Sequence, residues 1–336
     1  MNSRPKPIRV LQLGLGPIGV SSAELVLHRD DLKLVGAVDH DPQKAGRTIG
    51  ELIGSGSCAV KIGADLAAAL EESRPDVVLQ TTGSRLPEVA DQLKCCIRGG
   101  ASIVSSCEEL LYPWYRYADL AAELDTLARA RGIRVLGTGV NPGFVMDLIP
   151  VVVSASCKRI ESVYVERVVD ASTRRGPLQR KIGAGMDASH FRELAAEGKI
   201  GHVGSCESAS LILHGLGWRA DSLTETIEPV IADRVIQTDF VRVEPGRVAG
   251  IHQIAVATRD DAEIVRLDLK MYVGAKEPYD RVRLAADPPM NVWFEGGVAG
   301  ESATIANLIN AVPRLIALQP GIRTVLDLPG AADGRV

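Results

Sequence analysis

Over the first 150 residues, short apolar runs alternate with stretches of helical periodicity. The runs at 8–13, 32–39, 59–62, 76–81, 101–105 and 133–137 predict strands, and the stretches at 20–28, 65–73 and 86–97, with an Ala/Leu-rich segment to about Arg131, predict helices. Strands that are apolar along their whole length, and separated by helices, imply a parallel sheet covered on both faces. After about Pro150 the pattern changes. Residues 163–169 read as a strand, and a polar Arg- and Gly-rich stretch at 173–204 carries one helix near 189–197. Residues 208–215 read as a helix, and 224–285 hold several β-rich runs broken by turn signals such as Glu244-Pro245-Gly246. Residues 264–273 alternate apolar and polar, the signature of a sheet with one wet face. The last helix predicted is 302–318, kinked by Pro313. The fold class is therefore α/β: an N-terminal parallel sheet followed by an α+β domain. The expected division is residues 1–147 and 148–301, with 302–330 packing back on the first domain.

The first strand runs into Gly14-Leu15-Gly16-Pro17-Ile18-Gly19, a G-x-G-x-x-G sequence that opens a helix. The first glycine allows the tight turn, the second lets a pyrophosphate approach the backbone, and the third lets helix and strand pack closely. Pro17 and Ile18 lie at the helix start, where the N–H groups favour phosphate. Asp39 follows 20 residues after Gly19, at the end of the second strand, where a carboxylate accepts hydrogen bonds from an adenosine ribose. Together these predict a Rossmann-type NAD(P) site. Asp39 favours NAD, whereas His40, Lys44 and Arg47 just beyond it suit a 2′-phosphate, so both cofactors fit the pattern.

In an open parallel sheet, ligands bind beyond the carboxyl ends of the strands. That rule selects Thr81-Thr82-Gly83-Ser84 after the fourth strand, Ser105-Ser106-Cys107-Glu108-Glu109-Leu110 after the fifth, and Gly137-Thr138-Gly139-Val140-Asn141-Pro142-Gly143-Phe144 after the sixth. Glu108 at a strand end suits general acid–base chemistry. It equally suits a solvent-facing acid at a helix start, and Glu109 competes for the same role. Asn141 can hold a nicotinamide carboxamide or serve as a turn residue. Val140 and Phe144 can line an apolar substrate pocket or belong to the core. Arg174, Arg175, Arg180 and Lys181 form either an anion site or a solvated basic loop.

Composition removes other classes. A chain of 336 residues exceeds one ordinary core. Its net charge of −4 offers no broad basic field for nucleic acid. No apolar run is long enough to cross a bilayer. The leader Met1-Asn2-Ser3-Arg4-Pro5-Lys6-Pro7 enters a strand rather than a signal-peptide core, which points to the cytoplasm. None of the six cysteines forms C-x-x-C, and no Cys/His cluster has zinc-ligand spacing, so reduced thiols and no metal are expected.

The segments Ser105-Ser106-Cys107-Glu108-Glu109-Leu110, Gly137-Thr138-Gly139-Val140-Asn141-Pro142-Gly143-Phe144 and Gly296-Gly297-Val298-Ala299-Gly300-Glu301-Ser302-Ala303-Thr304 resemble those of 2,4-diaminopentanoate dehydrogenases and the related native amine dehydrogenases, within the dihydrodipicolinate reductase-like group. The resemblance implies a metal-free homodimer that carries out reversible reductive amination. Ammonia and a ketone or aldehyde give a primary amine, NAD(P)H supplies the hydride, and Glu108 is the catalytic carboxylate. It also implies that the second domain binds substrate and mediates dimerisation. The alternative is another NAD(P)-dependent imine or carbonyl reductase of the same group. The paired histidines of true dihydrodipicolinate reductases are absent, which argues against the lysine-pathway reaction.

Overall fold

The computed structural model describes residues 6–56 and 58–329. Residues 1–5 of the leader and residue 330 of the returning segment lie outside this range. In chain order the first elements are β1 (Ile8–Leu13), α1 (Pro17–Leu27), β2 (Leu32–Val38), α2 (Ile49–Ile53), β3 (Ile62–Gly63), α3 (Leu66–Ser73), β4 (Val77–Gln80), α4 (Leu86–Arg98) and β5 (Ser102–Ser105). A single 3₁₀ turn at Glu108–Leu111 precedes α5 (Ala118–Arg131) and β6 (Arg134–Gly137). Next come α6 (Leu148–Ser154), β7 (Arg159–Asp170), α7 (Gly176–Lys181), α8 (Ala188–Ala196), α9 (Ser205–Gly215) and β8 (Ser222–Ile231). The strands β9 (Ile236–Gln237), β10 (Arg242–Val243), β11 (Val248–Arg259), β12 (Ala262–Tyr272), β13 (Tyr279–Asp287) and β14 (Met290–Glu295) follow. The chain then enters α10 (Gly300–Leu315) and β15 (Gly321–Arg323).

The chain divides into two units, one comprising Met1–Phe144 with Gly300–Val336 and the other Val145–Ala299. In the first, seven parallel strands lie in the order β15-β6-β5-β4-β1-β2-β3. Leu11, Val78, Ile103 and Val135 are fully buried, as strands covered on both faces require. Neighbours β1 and β4 leave the sheet in opposite directions along the strand order, which opens a crevice beyond their carboxyl ends. The C-terminal segment returns to this unit: α10 packs on α1, and β15 adds an edge strand beside β6. Sequence reading missed β15, because three residues carry no periodicity. Helix α10 contains Pro313 but ends two residues later, so the lost N–H interrupts only its last turn.

The second unit is a six-stranded mixed sheet, β14-β13-β7-β12-β11-β8, in which only β7 and β12 pair in parallel. Val163, Val165, Val282 and Leu284 are buried, while Tyr164, Glu166, Arg281 and Arg283, on the other face, are only half-buried. The expected period-two alternation is present. Helices α8 and α9 pack against β8, and α9 also against β11 and β12.

Candidate active site

The Gly-rich turn assigns each glycine a separate task. Gly14 has φ of +86°, and a Cβ there would lie 2.7 Å from the Thr82 methyl. A Cβ on Gly19 would run into the Gly14 carbonyl and lie 2.7 Å from Thr81 Oγ1. Only Gly16 faces open space, with nothing within 4 Å of a built Cβ. Helix α1 has Gly16 at its N-cap, Pro17 in its first turn and no side-chain cap. No side chain caps its leading N–H groups, those of Ile18 and Gly19 among them, and such a helix start suits an anionic ligand. This cradle fits the pyrophosphate of NAD(P). It predicts that Gly16→Ala leaves thermal stability unchanged but weakens cofactor binding by at least about tenfold. Gly19→Ala should disturb the turn itself and lower the melting temperature. Fluorescence titration with NADH and a melting curve separate the two effects.

A buried polar ladder supports this crevice. Gln12 donates to the Gly14 carbonyl at 2.9 Å and to Thr81 Oγ1 at 3.0 Å. Gln80 donates to Thr82 Oγ1 at 2.5 Å and accepts a short hydrogen bond from the Ser105 hydroxyl. Ser105 in turn accepts the Cys107 N–H at 3.0 Å. Gln12, Gln80 and Ser105 are fully buried, so each bond forms away from competing water. The loop after β4 and the turn after β5 are thus fixed to one another. Sequence reading placed Ser105 in the candidate loop after β5 but gave no role to Gln12 or Gln80, since a polar residue inside an apolar run carries no pattern.

The two adjacent acids occupy different environments. Glu109 is buried, and its carboxylate accepts the Leu86 N–H at the start of α4 at 2.7 Å and the Tyr117 hydroxyl at 3.4 Å, with Arg85 at 3.9 Å. The Glu109 N–H and the Cys107 thiol both donate to the Ser84 carbonyl. Burial, together with the neighbouring Glu108 charge, pushes the Cys107 thiol well up, so it stays protonated. Glu108 opens the 3₁₀ turn and is half-buried. Gly137 lets this turn lie against β6: a Cβ there would be 2.6 Å from the Leu110 carbonyl carbon.

Beyond β6, the Val140 N–H donates to Thr304 Oγ1 at 3.2 Å, and Asn307 donates to the Gly139 carbonyl at 2.8 Å. Helix α10 therefore holds the loop that carries Val140, Asn141 and Phe144. Val140 is buried, while Asn141 and Phe144 are half-buried. Thr304 and Asn307 are contributors that spacing could not reveal, because they lie more than 160 residues away in sequence.

At the other end of the crevice, Asp39 closes the Gly-rich loop. It is 4 % exposed and accepts the Leu15 N–H at 2.6 Å and the Asp41 N–H at 2.8 Å. Lys44 Nζ lies 3.2 Å from the same carboxylate. Burial alone would raise the Asp39 pKa, but these three donors hold it below its ordinary value. His40 is almost wholly exposed beside it. All six cysteines are free thiols, and among the described residues no group of three or more His, Cys, Asp or Glu is placed to hold a metal ion. No helix of the described residues is long and apolar enough to cross a membrane.

Comparison with known proteins agrees with this architecture. Residues 8–107 match the N-terminal domain of dihydrodipicolinate reductases, and residues 144–333 match the 2,4-diaminopentanoate dehydrogenase C-terminal domain. The chain is 28% identical to a 2,4-diaminopentanoate dehydrogenase of Acetoanaerobium sticklandii, over 96% of this chain and 93% of that one. It is 24% identical to an amine dehydrogenase of Streptomyces virginiae, over 94% of each chain. The solved structure of an amine dehydrogenase from Mycobacterium smegmatis superposes with a TM-score of 0.87 at 25% identity, covering 98% of both chains. With the second unit matched along its whole length and a dinucleotide cradle in the first, the chain is an NAD(P)-dependent oxidoreductase and belongs to the 2,4-diaminopentanoate dehydrogenase family.

Proposed function

We propose that this chain, an NAD(P)-dependent amine dehydrogenase, catalyses the reversible reductive amination of a small ketone or aldehyde with ammonia, and that Glu108 is the group that moves protons. The observation that carries this reading is the division between two neighbouring acids. Glu109 is committed to the start of α4, whereas Glu108 sits half-buried at the carboxyl end of β5. The loop after β4 contains no acid, and the acid of the loop after β6, Asp147, is fully buried and accepts the Leu148 N–H and the Ser208 hydroxyl, so we assign the role to Glu108. Asp39 at the end of β2 would hold the adenosine ribose of the dinucleotide, and the start of α1 would hold its pyrophosphate. Thr82, Gly83, Ser84 and Asn141 would hold its nicotinamide half, which would supply or take the hydride.

The chemistry asked of Glu108 is ordinary acid–base work. At neutral pH, ammonia is present mainly as ammonium, and a carboxylate that accepts its proton releases the nucleophile. After attack on the carbonyl carbon, the carbinolamine hydroxyl must leave as water, and the same group in its acid form supplies that proton. The iminium that remains is cationic, and the ionised carboxylate stabilises it electrostatically. The bound nicotinamide supplies the hydride, or takes it in the reverse direction. Val140 and Phe144 are proposed to line the apolar side of the substrate position. The proposed assembly is a homodimer.

The test is the ammonia dependence of NAD(P)H oxidation over a panel of short ketones and aldehydes. Oxidation that requires both carbonyl and ammonium is the expected result, with a primary amine as product. Consumption that proceeds equally well without ammonium would assign the chain to the carbonyl or preformed-imine reductases instead. Complete inactivity across the panel would overturn the reading.

A further inference from the structure

The environment of Asp39 leads to an inference about the cofactor that needs no assumption about substrate. A carboxylate that reads the adenosine ribose of NAD ordinarily has acceptor positions open on both oxygens for the two hydroxyls. Here one oxygen is already full. Asp39 Oδ2 accepts the Leu15 N–H at 2.6 Å and lies 3.2 Å from Lys44 Nζ. Oδ1 accepts the Asp41 N–H at 2.8 Å, which leaves it one acceptor position. Lys44 also reaches Asp41 Oδ2 at 3.6 Å. An ammonium has three donors, so one remains after both carboxylates are met. The Lys44 side chain is 23% exposed and sits at the edge of the site rather than outside it.

A bare aspartate at this position repels the 2′-phosphate of NADP, which is why such a residue normally selects NAD. In this chain the charge of Asp39 is offset by a lysine held against it and shared with Asp41. We infer that Lys44 is the specificity-determining residue for the cofactor: clamped on Asp39, it reduces the repulsion, offers its remaining donor to a 2′-phosphate, and so admits NADPH alongside NADH. His40 is 98% exposed and 3.8 Å from Asp39, and has no fixed geometry that could perform this task alone. The opposing requirement, a ribose hydroxyl for NADH, is met by the single position left on Oδ1. The two cofactors therefore use different atoms of one ion pair.

The experiment measures binding alone, in full-length protein without substrate, by titrating nicotinamide fluorescence with NADH and NADPH. The natural chain is expected to bind both within about tenfold of each other. Lys44→Met should weaken NADPH by about tenfold or more, the worth of a charge-assisted contact, and change NADH by less than about threefold. Lys44→Arg should restore most of the NADPH affinity. Raising the ionic strength should weaken NADPH more than NADH in the natural chain, and this difference should shrink in Lys44→Met. A ratio of the two affinities that moves by less than about threefold in Lys44→Met would overturn the inference. So would a natural chain that binds one cofactor to the practical exclusion of the other. Because no turnover is involved, failure of the amination reading leaves this result untouched.

Discussion

Glu108→Gln is expected to lower the turnover of reductive amination by about 10²–10⁴-fold, the usual worth of a positioned acid–base group, while the affinity for NADH stays within about twofold. The substitution keeps the size and hydrogen-bonding outline of the side chain but removes its exchangeable proton and its charge. All proton steps assigned to this carboxylate then fall to water, and the iminium loses its counter-charge. Cofactor affinity is spared because the cradle proposed for the cofactor consists of Gly16, Ile18, Gly19 and Asp39, none of which touches Glu108 in the contacts described above. The neighbouring position should behave in the opposite way. Glu109→Ala removes the acceptor of the Leu86 N–H and leaves that buried donor without a partner, at a cost of about 1–3 kcal/mol in stability. One variant should therefore lose rate with its fold intact, and the other should lose fold first. If Glu108→Gln retains full activity, the proton-transfer role assigned to Glu108 is wrong.

This contrast marks what could be read from the chain by itself. The Gly-rich turn is legible because the backbone makes demands that only glycine meets: a positive φ at Gly14 and no room at Gly19. The parallel sheet is legible from apolar runs broken by helices, since a sheet buried on both faces leaves that imprint, whereas the order of its strands is not. Glu108 and Glu109 are another matter. As sequence they are the same residue twice, and only burial separates the acid that caps α4 from the acid at the strand end. Lys44 was visible as a basic residue beyond Asp39, but its clamp on that carboxylate depends on how the chain turns after β2. Gln80 and Ser105 pair across adjacent strands. Their partnership depends on register, which composition does not encode. The same limit applies to Arg167 and Asp280 in the second unit, which spacing gave no reason to connect.

Those two residues carry the largest stability effect expected in the chain. Asp280→Ala should destabilise the second unit by about 3–5 kcal/mol, a fall of roughly 10 °C in its melting temperature. Arg167 and Asp280 are opposite one another on β7 and β13, both buried, with Arg167 Nη1 2.6 Å from Asp280 Oδ2. Arg167 also donates to the Val298 carbonyl at 2.9 Å, and the Val298 N–H returns to Asp280 Oδ2 at 2.7 Å. The pair thus fastens the segment after β14 to the middle of the sheet. Burial pushes the Asp280 carboxyl up and the Arg167 guanidinium down, each against the pull of the other charge. The desolvation is not fully offset, because Asp280 Oδ1 has no hydrogen-bond donor among the described residues. Removing one partner therefore strands a buried charge, whereas removing both does not. The double variant Arg167→Met/Asp280→Leu should be less destabilised than Asp280→Ala. Denaturant melts of the single and double variants measure this directly. If the double variant is as unstable as the sum of its two single changes, the charges are not coupled, and the fastening of Val298 rests on packing instead.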